Sequence, residues 1–454
     1  MTPRAGDGPL PVRVPLVTAP LGFFGSLRAA RRNVLGIIPE IATTQPMVSG
    51  RMGVRWHMVM DPAAIRRMLL ERLDAYPKSV VTKNLLKPAI GESIFIAEGA
   101  HWRWQRRTAA PAFSHRNIAN LGPFMTRAAE ASADRIAAAG PRAVNMFDEM
   151  VRATFDVISD VTFSGDEGFD RDAVHGAIDA YVAEAGRLSV LDMLGLPDWV
   201  PRPSRVMSGH ALRDMKRVAD HAIEARRKRG AEGVPDLLDL LLAGEDPETK
   251  RRMNTGELRD NLLTFIVAGH ETTALTLSWS LYLCAFDPAV QEAAAAEARA
   301  VLGDRAATAE DVAALPAIRR IVDEALRLYP PAALVSRTAR EADTLGGREI
   351  RAGDTVMIPI YALHRNRLLW EDPDAFRPDR FADPKAIDRY AYLPFGDGPR
   401  ICIGASFAVQ EAVIILATLL ARFRFRRVAG RDPAPVMILT LRPEGGVWLE
   451  AEAR

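Results

Sequence analysis

The stretch Phe395-Gly-Asp-Gly-Pro-Arg400-Ile-Cys402-Ile-Gly404 presents a cysteine between a glycine-rich loop and an apolar helix predicted over about Ala405–Phe423. Two glycines and a proline constrain the loop, and backbone N–H groups in such a loop and at a helix start favour a thiolate. Arg400 adds positive charge nearby. A thiolate presented in this way is either a nucleophile, which needs a histidine base close in space, or an axial ligand of haem iron.

The number of cysteines and the charge balance of the chain exclude several classes of site and partner. Cys402 and Cys284 are the two cysteines of the 454 residues, which is too few for a disulfide framework, a four-cysteine zinc site or an iron–sulfur cluster. The chain carries 59 Lys and Arg against 57 Asp and Glu, a formal net charge of +2. This balance gives no general reason to expect nucleic acid or an anionic membrane as a partner.

The pattern of the chain predicts one mainly α domain with a small β-lobe. Residues 1–20 are Pro-rich and expected to be extended; Pro and Gly interrupt every apolar run there, so we expect a cytoplasmic protein without a signal peptide or membrane anchor. Residues 123–303 are mostly helical in pattern, with a Pro-rich break at residues 196–203. Short strands are predicted at Met47–Val54, Trp56–Met60 and within residues 346–359, and a helix begins after Asp61.

The apolar segment Leu262–Phe286 has the length of a membrane span. Residues 269–273 near its middle are Gly, His, Glu, Thr and Thr, and a carboxylate in lipid costs at least ~2.5 kcal/mol. We therefore predict a long helix buried in a large soluble core. A glycine followed by hydroxyl side chains can loosen a helix and open a groove for a ligand beside it.

The cysteine loop resembles that of a known family. Phe395, Gly398, Arg400, Cys402 and Gly404 match the F-x-x-G-x-R-x-C-x-G haem-binding loop of the cytochrome P450 family at every fixed position. Three further motifs follow the family's chain order, namely the W-x-x-x-R pair Trp102 and Arg106, the central-helix motif Ala268–Thr273, and the E-x-x-R pair Glu324 and Arg327.

The resemblance implies a single-domain cytochrome P450 fold over residues 21–454, with a long central helix over haem b held by the loop 395–404. Cys402 would be the axial ligand of the haem iron, and Phe395, Gly404 and Ala268 would adjoin the haem. Trp102, Arg106, Arg337 and Arg400 would bind its propionates or adjoin them. Glu324, Arg327 and Arg380 would form a buried structural network.

By the same resemblance, Thr272 would serve bound oxygen and Glu271 would help to relay protons. The alternative from the residues alone is that the threonines bond to carbonyls of their own helix and that Glu271 pairs with an arginine. His270 is expected to be a packing or salt-bridge residue, and Cys284 a small core residue.

The implied activity is that of a monooxygenase, which inserts one oxygen atom of O2 into a C–H bond of an apolar organic substrate. Electrons would come from a ferredoxin or flavodoxin with its NAD(P)H reductase, with Arg103 and Arg107 available to dock an acidic donor. The pocket walls would include the loop around Val80–Ala97, Ala268, residues 333–335 and residues 438–439. Alternatives are a peroxide-driven peroxygenase, a haem-dependent isomerase or dehydratase, and a non-catalytic haem sensor. A monomer is expected.

Overall fold

The computed structural model describes residues 10–163, Gly176, 209–230 and 235–454. The Pro-rich break predicted at residues 196–203, and residues 1–9 of the N-terminal segment, lie outside the described residues. Within them the fold is mainly α with a small β-lobe, as predicted from the sequence.

The α-helices of the described residues are α1 (Phe23–Arg32), α2 (Pro62–Arg66), α3 (Val80–Ile90), α4 (Gly99–Ala109), α5 (His115–Asn120), α6 (Gly122–Ala139), α7 (Met146–Phe163), α8 (Gly209–Arg229), α9 (Leu237–Ala243), α10 (Thr255–Phe286), α11 (Pro288–Leu302), α12 (Pro316–Leu328), α13 (Ile360–Leu363) and α14 (Ala405–Arg422). The strands are β1 (Met47–Met52), β2 (Val54–Val59), β3 (Val144–Asn145), β4 (Val335–Thr338), β5 (Asp343–Leu345), β6 (Arg348–Ile350), β7 (Thr355–Ile358), β8 (Phe423–Arg427), β9 (Ala434–Met437), β10 (Leu441–Glu444) and β11 (Trp448–Ala453).

The β-lobe consists of small sheets. The largest has the strand order β1-β2-β7-β4, in which β2 and β7 are parallel and β4 is antiparallel to β7. Strands β3, β11 and β8 form a second sheet, while β9–β10 and β5–β6 are hairpins. The strand pair and the helix predicted around Asp61 are β1, β2 and α2; the Asp61 carboxylate accepts a hydrogen bond from the Ala64 N–H and caps the helix.

The central helix α10 begins earlier than the apolar pattern indicates. Asn254 and Glu257 form a capping box at its start, and the helix then runs without a break to Phe286. It packs along α7, where the Thr154 hydroxyl donates to the carbonyl oxygen of His270 at 2.7 Å. Most of its side chains are buried on all sides, as expected for a core helix of a large domain.

Among the described helices, α14 is the one long and apolar enough to cross a membrane by length and composition. It follows the cysteine loop directly, and 72% of its apolar window is buried inside the fold. Burial of this kind is typical of a core helix.

The N-terminal segment is held against the core by three tyrosine hydroxyls. Tyr329 donates to the carbonyl oxygen of Val12 at 2.6 Å, Tyr282 accepts from the Val12 N–H at 3.2 Å, and Tyr361 accepts from the Val14 N–H at 2.9 Å. Further along, Val17 forms a β-bridge with Pro39, so side chains and backbone together satisfy the polar backbone of this stretch.

Residues 80–97 differ from the expected loop, because their first part is helix α3. The hydroxyl of Ser79 accepts from the Thr82 N–H and caps this helix, and Leu86 and Ile90 bury its inner face. Helix α3 continues past Pro88 and ends at Gly91, where φ is +54°.

Candidate functional site

The backbone path of the cysteine loop requires glycine at residue 398. Gly398 has φ +71°, and a Cβ at this residue would lie 2.3 Å from the carbonyl oxygen of Leu69. The N–H of Cys402 donates to the carbonyl oxygen of Phe395 at 2.9 Å and closes the loop. The chain then turns through Gly404 into α14, which fixes the cysteine at the end of a buried helix.

Cys402 as a residue has an exposed surface, although many protein atoms surround its sulfur. Protein atoms crowd the loop around it, and this burial raises the pKa of the Cys402 thiol, while a hydrogen bond from the Gly404 N–H and the positive charge of Arg106 lower it. Arg106 also donates from Nη1 to the carbonyl oxygen of Ile401 at 2.9 Å. The Gly404 N–H and Arg106 thus favour a thiolate, and among the described residues no histidine hydrogen-bonds to the sulfur.

Positive charge accumulates beside the loop. Arg400 forms an ion pair with Glu98 and donates to the carbonyl oxygen of Ala97 at 2.9 Å, and its guanidinium carbon lies 4.3 Å from the centre of the Trp102 ring. Lys78 pairs with Arg337 in a short β-bridge next to this cluster. Trp102, Arg337 and Arg400 are therefore brought together, whereas Arg106 lies against the cysteine end of the loop.

The electrostatics of this cluster fit the binding of an anionic group. Burial and then the charge of Arg400 lower the pKa of Arg337 to about 10. Arg337 is 7% exposed, and its Nε is buried with no hydrogen-bond partner among the residues that the structure describes. Burial, followed by the charges of Arg337 and Arg400, lowers the pKa of Lys78 well below its usual value. An unpaired donor among crowded cations is expensive unless an anion binds there.

The middle of α10 is open at one position. Ala268 is exposed although Phe265, Ile266, His270 and Glu271 around it are buried. The Thr272 hydroxyl donates to the carbonyl oxygen of Ala268 at 2.6 Å, so the helix ladder is kept and not broken. This is the back-bonded arrangement that we considered as the alternative for the threonine.

Glu271 is paired with an arginine, as the same alternative states. Its carboxylate forms an ion pair with Nε of Arg442 and accepts from the Thr440 hydroxyl at 2.9 Å. Both partners belong to the hairpin β9–β10 or its tip, more than 160 residues along the chain. The side chain is 5% exposed, whereas Arg442 is 33% exposed and reaches the surface.

Glu324, Arg327 and Arg380 form one buried network. Arg327 donates to Glu324 from Nε at 2.6 Å and from Nη2 at 2.8 Å, and Arg380 donates to the same carboxylate at 3.1 Å. The remaining donors of Arg327 reach the carbonyl oxygens of residues 364, 373 and 375. Every charge in the network has partners, as burial demands.

His364, for which the sequence suggests no role, links this network to the chain before the cysteine loop. Its Nε2 accepts from the Leu393 N–H at 2.9 Å, and its Nδ1 donates to the carbonyl oxygen of Arg327 at 3.1 Å. Burial lowers the pKa of His364 to about 3, assisted by the charge of Arg327, so the ring is neutral. The neutral ring therefore connects α12 to the chain before the cysteine loop through one hydrogen bond on each side.

Two further observations concern charged residues. Arg103 pairs with Asp74 at 2.6 Å and Arg107 pairs with Asp246 at 2.7 Å, so both proposed docking arginines are engaged within the chain.

Glu411 of α14 is 1% exposed. Burial raises the pKa of Glu411 to about 8, although the nearby hydroxyl of Thr273 opposes the shift.

Sequence reasoning missed Lys78, Glu98, Arg442, His364 and Glu411. None of these residues belongs to a recognisable sequence motif. Each contacts a partner that lies in a distant segment of the chain. A weak signal exists for Glu411, because a carboxylate within the apolar run of residues 405–423 must either pair or remain neutral.

Comparison with known proteins agrees with this geometry. A family model described as cytochrome P450 matches residues 17–449. Cyclooctatin synthase of Streptomyces melanosporofaciens is 33% identical over 417 residues, covering 91% of this chain and 90% of that protein. The chain belongs to the cytochrome P450 family.

Other P450 relatives show the same breadth of match. Cyclooctat-9-en-7-ol 5-monooxygenase of S. melanosporofaciens is 32% identical over 429 residues, covering 93% of this chain and 90% of that protein. A cytokinin hydroxylase of Arabidopsis thaliana is 33% identical over 391 residues, covering 85% of this chain and 76% of that protein. The crystal structure of the cytochrome P450DA heme domain superposes with a TM-score of 0.84 at 28% identity, covering 97% of this chain and 98% of that one. The protein is therefore a P450 monooxygenase with haem as its cofactor.

Proposed function

We propose that the cofactor is haem b, that Cys402 is the axial thiolate ligand of its iron, and that the enzyme inserts one oxygen atom of O2 into a C–H bond of an apolar organic substrate. The observation that carries the proposal is the placement of Cys402, an exposed residue, on a loop whose path requires glycine at residue 398. The Gly404 N–H and the Arg106 charge stabilise the thiolate form.

The propionates of the haem would bind to the cluster of Lys78, Arg337 and Arg400. Support comes from the buried, unpartnered Nε of Arg337 and from the depressed pKa values of Arg337 and Lys78, since a carboxylate would relieve both the lost hydrogen bond and the repulsion. Trp102 would close the cluster through its contact with Arg400. Arg106 would act on Cys402 instead of a propionate, because it donates to the neighbouring carbonyl of Ile401.

Bound haem would supply the activation of O2 and the oxidation of the substrate carbon. The protein would supply protons and exclude water. The Thr272 hydroxyl donates its proton to the Ala268 carbonyl, which leaves its oxygen lone pairs able to accept a hydrogen bond from a ligand. Glu271 adjoins it on the same helix and would accept the next proton from the side of Arg442, which reaches the surface.

The substrate would be a medium-sized apolar molecule. Ala268 is exposed in the middle of the core helix, and Ile438 at the tip of the β9–β10 hairpin is 40% exposed. Residues 334, 335 and 439 are partly buried apolar side chains packed on the core. The names of two relatives specify cyclooctat-9-en-7-ol and a cytokinin as what they act on. Fatty acids and terpenoids are the first classes that we would screen.

Electrons would come from a separate ferredoxin or flavodoxin with its NAD(P)H reductase. Leu70 and Ile401 lie beside the cysteine loop and are 42% and 36% exposed. An electron-donor protein that bound over these two side chains would contact the surface next to Cys402. Arg103 and Arg107 would first have to exchange their bonds to Asp74 and Asp246.

Reconstitution with a ferredoxin and its reductase under ¹⁸O2, over a panel of fatty acids and terpenoids, tests the proposal. We expect product that carries one ¹⁸O atom and depends on both NADPH and the partner. Thr272→Ala should divert electrons to hydrogen peroxide and lower the product per NADPH several-fold, whereas Thr272→Ser, which keeps the hydroxyl, should retain most of it. Product made from hydrogen peroxide alone, with coupling unchanged in Thr272→Ala, would favour a peroxygenase. Binding without any product would favour a sensor.

A further inference from the structure

The carboxylate of Glu271 is held at one of its two oxygens. Thr440 donates its hydroxyl to Oε1 at 2.9 Å, and Nε of Arg442 binds the same Oε1. Both hydrogen bonds seen for this side chain within the described residues therefore end on one atom. A carboxyl group fixed through Oε1 has a defined plane, and Oε2 is the atom that remains to carry a proton.

The element that supplies both donors is itself tied firmly to the core. The N–H of Leu441, which lies between the two donors, donates to the carbonyl oxygen of Pro331 at 3.0 Å. Trp279, two turns after Glu271 on the same helix, donates from Nε1 to the carbonyl oxygen of Leu441 at 3.2 Å. The start of β10 is thus attached to α10 at Glu271 and again at Trp279.

The other strand of the hairpin is attached elsewhere. Asn33 donates to the carbonyl oxygen of Pro435 and accepts from the Met437 N–H, each at 3.1 Å. Between these two attachments lies the tip, residues 438–440, with Ile438 40% exposed. The tip is therefore the part of the hairpin with the fewest bonds to the core, and Thr440 belongs to it.

We propose that Arg442 and Thr440 are positioning residues for the acid of the proton path, holding Oε1 of Glu271 so that Oε2 stays available to carry a proton. The inference rests on the proposed function, since it assigns Glu271 a proton to carry. It adds that the orientation of this acid is set by a strand that is remote in sequence. Arg442 contributes most because its charge opposes that of the carboxylate, which is itself only 5% exposed.

The physical link can be tested without turnover by hydrogen–deuterium exchange of the haem-loaded protein. We expect the amides of residues 438–442 and 444 to exchange about tenfold faster in Arg442→Gln and in Glu271→Gln, with no further increase in the double variant, since each removes the same ion pair. Arg442→Lys keeps the charge and should restore slow exchange. Arg426→Gln is the matched control, because Arg426 pairs with Glu452 at the surface, where the two side chains are 60% and 58% exposed. Equal exchange in wild type and Arg442→Gln would overturn the proposal.

The positioning role has a second readout in the pH profile of coupling, measured with dodecanoic acid as the probe. Arg442→Gln should raise the hydrogen peroxide released per NADPH several-fold and shift the pH at which product formation is half-maximal, and Arg442→Lys should reverse both changes. Thr440→Val should have the smaller effect. A purely structural role would lower the yield of folded protein and leave the profile unshifted, which would contradict the proposal. If wild type incorporates no oxygen from ¹⁸O2, the proposed function fails, and the exchange experiment still decides the link between Arg442 and Glu271.

Discussion

Arg327 and Glu324 are joined by two hydrogen bonds of 2.6 and 2.8 Å, and neither side chain is exposed at all. The two residues are three apart on α12, so the helix itself aligns the guanidinium with the carboxylate. Because Arg327 also reaches three backbone carbonyls, it joins α12 to the segment of residues 364–375 that leads toward the cysteine loop.

Arg327→Ala is expected to destabilise the protein by about 3–5 kcal/mol, since it leaves the Glu324 carboxylate buried without its main partner. Arg327→Lys should recover little, because one ammonium cannot replace a bidentate contact and three further donations. Arg217→Ala provides the control; Arg217 pairs with Asp214 three residues earlier on α8, the side chains are 76% and 59% exposed, and its loss should cost less than about 1 kcal/mol. Urea unfolding followed by circular dichroism measures both, and equal losses would contradict the network.

Gly398→Ala should disrupt the cysteine loop, because the added Cβ would meet the Leu69 carbonyl oxygen at 2.3 Å. Gly396→Ala is the matched control in the same loop, with φ +68° but no atom within 4 Å of the new Cβ. We expect Gly396→Ala to lose only about 1 kcal/mol through backbone strain and to keep its haem, and Gly398→Ala to purify largely without haem. The ratio of haem absorbance to protein absorbance reports the difference; equal ratios would show that the loop can move away from Leu69.

Arg337→Gln should weaken haem retention. A charge-assisted hydrogen bond to a propionate is worth about 1.5–3 kcal/mol, which corresponds to a roughly 10- to 100-fold faster transfer of haem to apomyoglobin. Arg351→Gln is the control, since Arg351 is 63% exposed and pairs with Glu349. Unchanged transfer in Arg337→Gln would remove Arg337 from the propionate site.

Glu411→Gln should change how stability depends on pH. The folded chain holds the carboxyl proton up to about pH 8, whereas the unfolded chain releases it near its ordinary pKa of 4.5. Unfolding therefore releases a proton between these values, and this group lowers the free energy of unfolding by about 1.4 kcal/mol per pH unit as the pH rises through that window. The variant should be as stable as wild type at the acid end and more stable near pH 8. Urea unfolding across the window, with the exposed Glu444→Gln as control, measures it; parallel curves for Glu411→Gln and wild type would refute a neutral Glu411.

The parts of the site that could be predicted from the sequence are those in which one short segment fixes both residue types and spacing. The Phe395–Gly404 loop, the Glu324–Arg327 pair and the buried helix α10 are of this kind, since glycine conformation, helix spacing and apolar length are local properties. Lys78 and Glu98 meet Arg400 across about 300 residues, and Arg442 meets Glu271 across 171. Such contacts depend on the packing of α10, α4 and the hairpin β9–β10, which no local pattern encodes.

The optical spectrum of the dithionite-reduced protein under carbon monoxide tests the central claim most directly, with Cys402→Ser as the comparison. The account predicts a strongly red-shifted Soret band in wild type, as expected for iron bound by the Cys402 thiolate, and loss of that band in the variant. A band at the ordinary histidine-ligated position in freshly folded wild-type protein, or the same red-shifted band in Cys402→Ser, would contradict it.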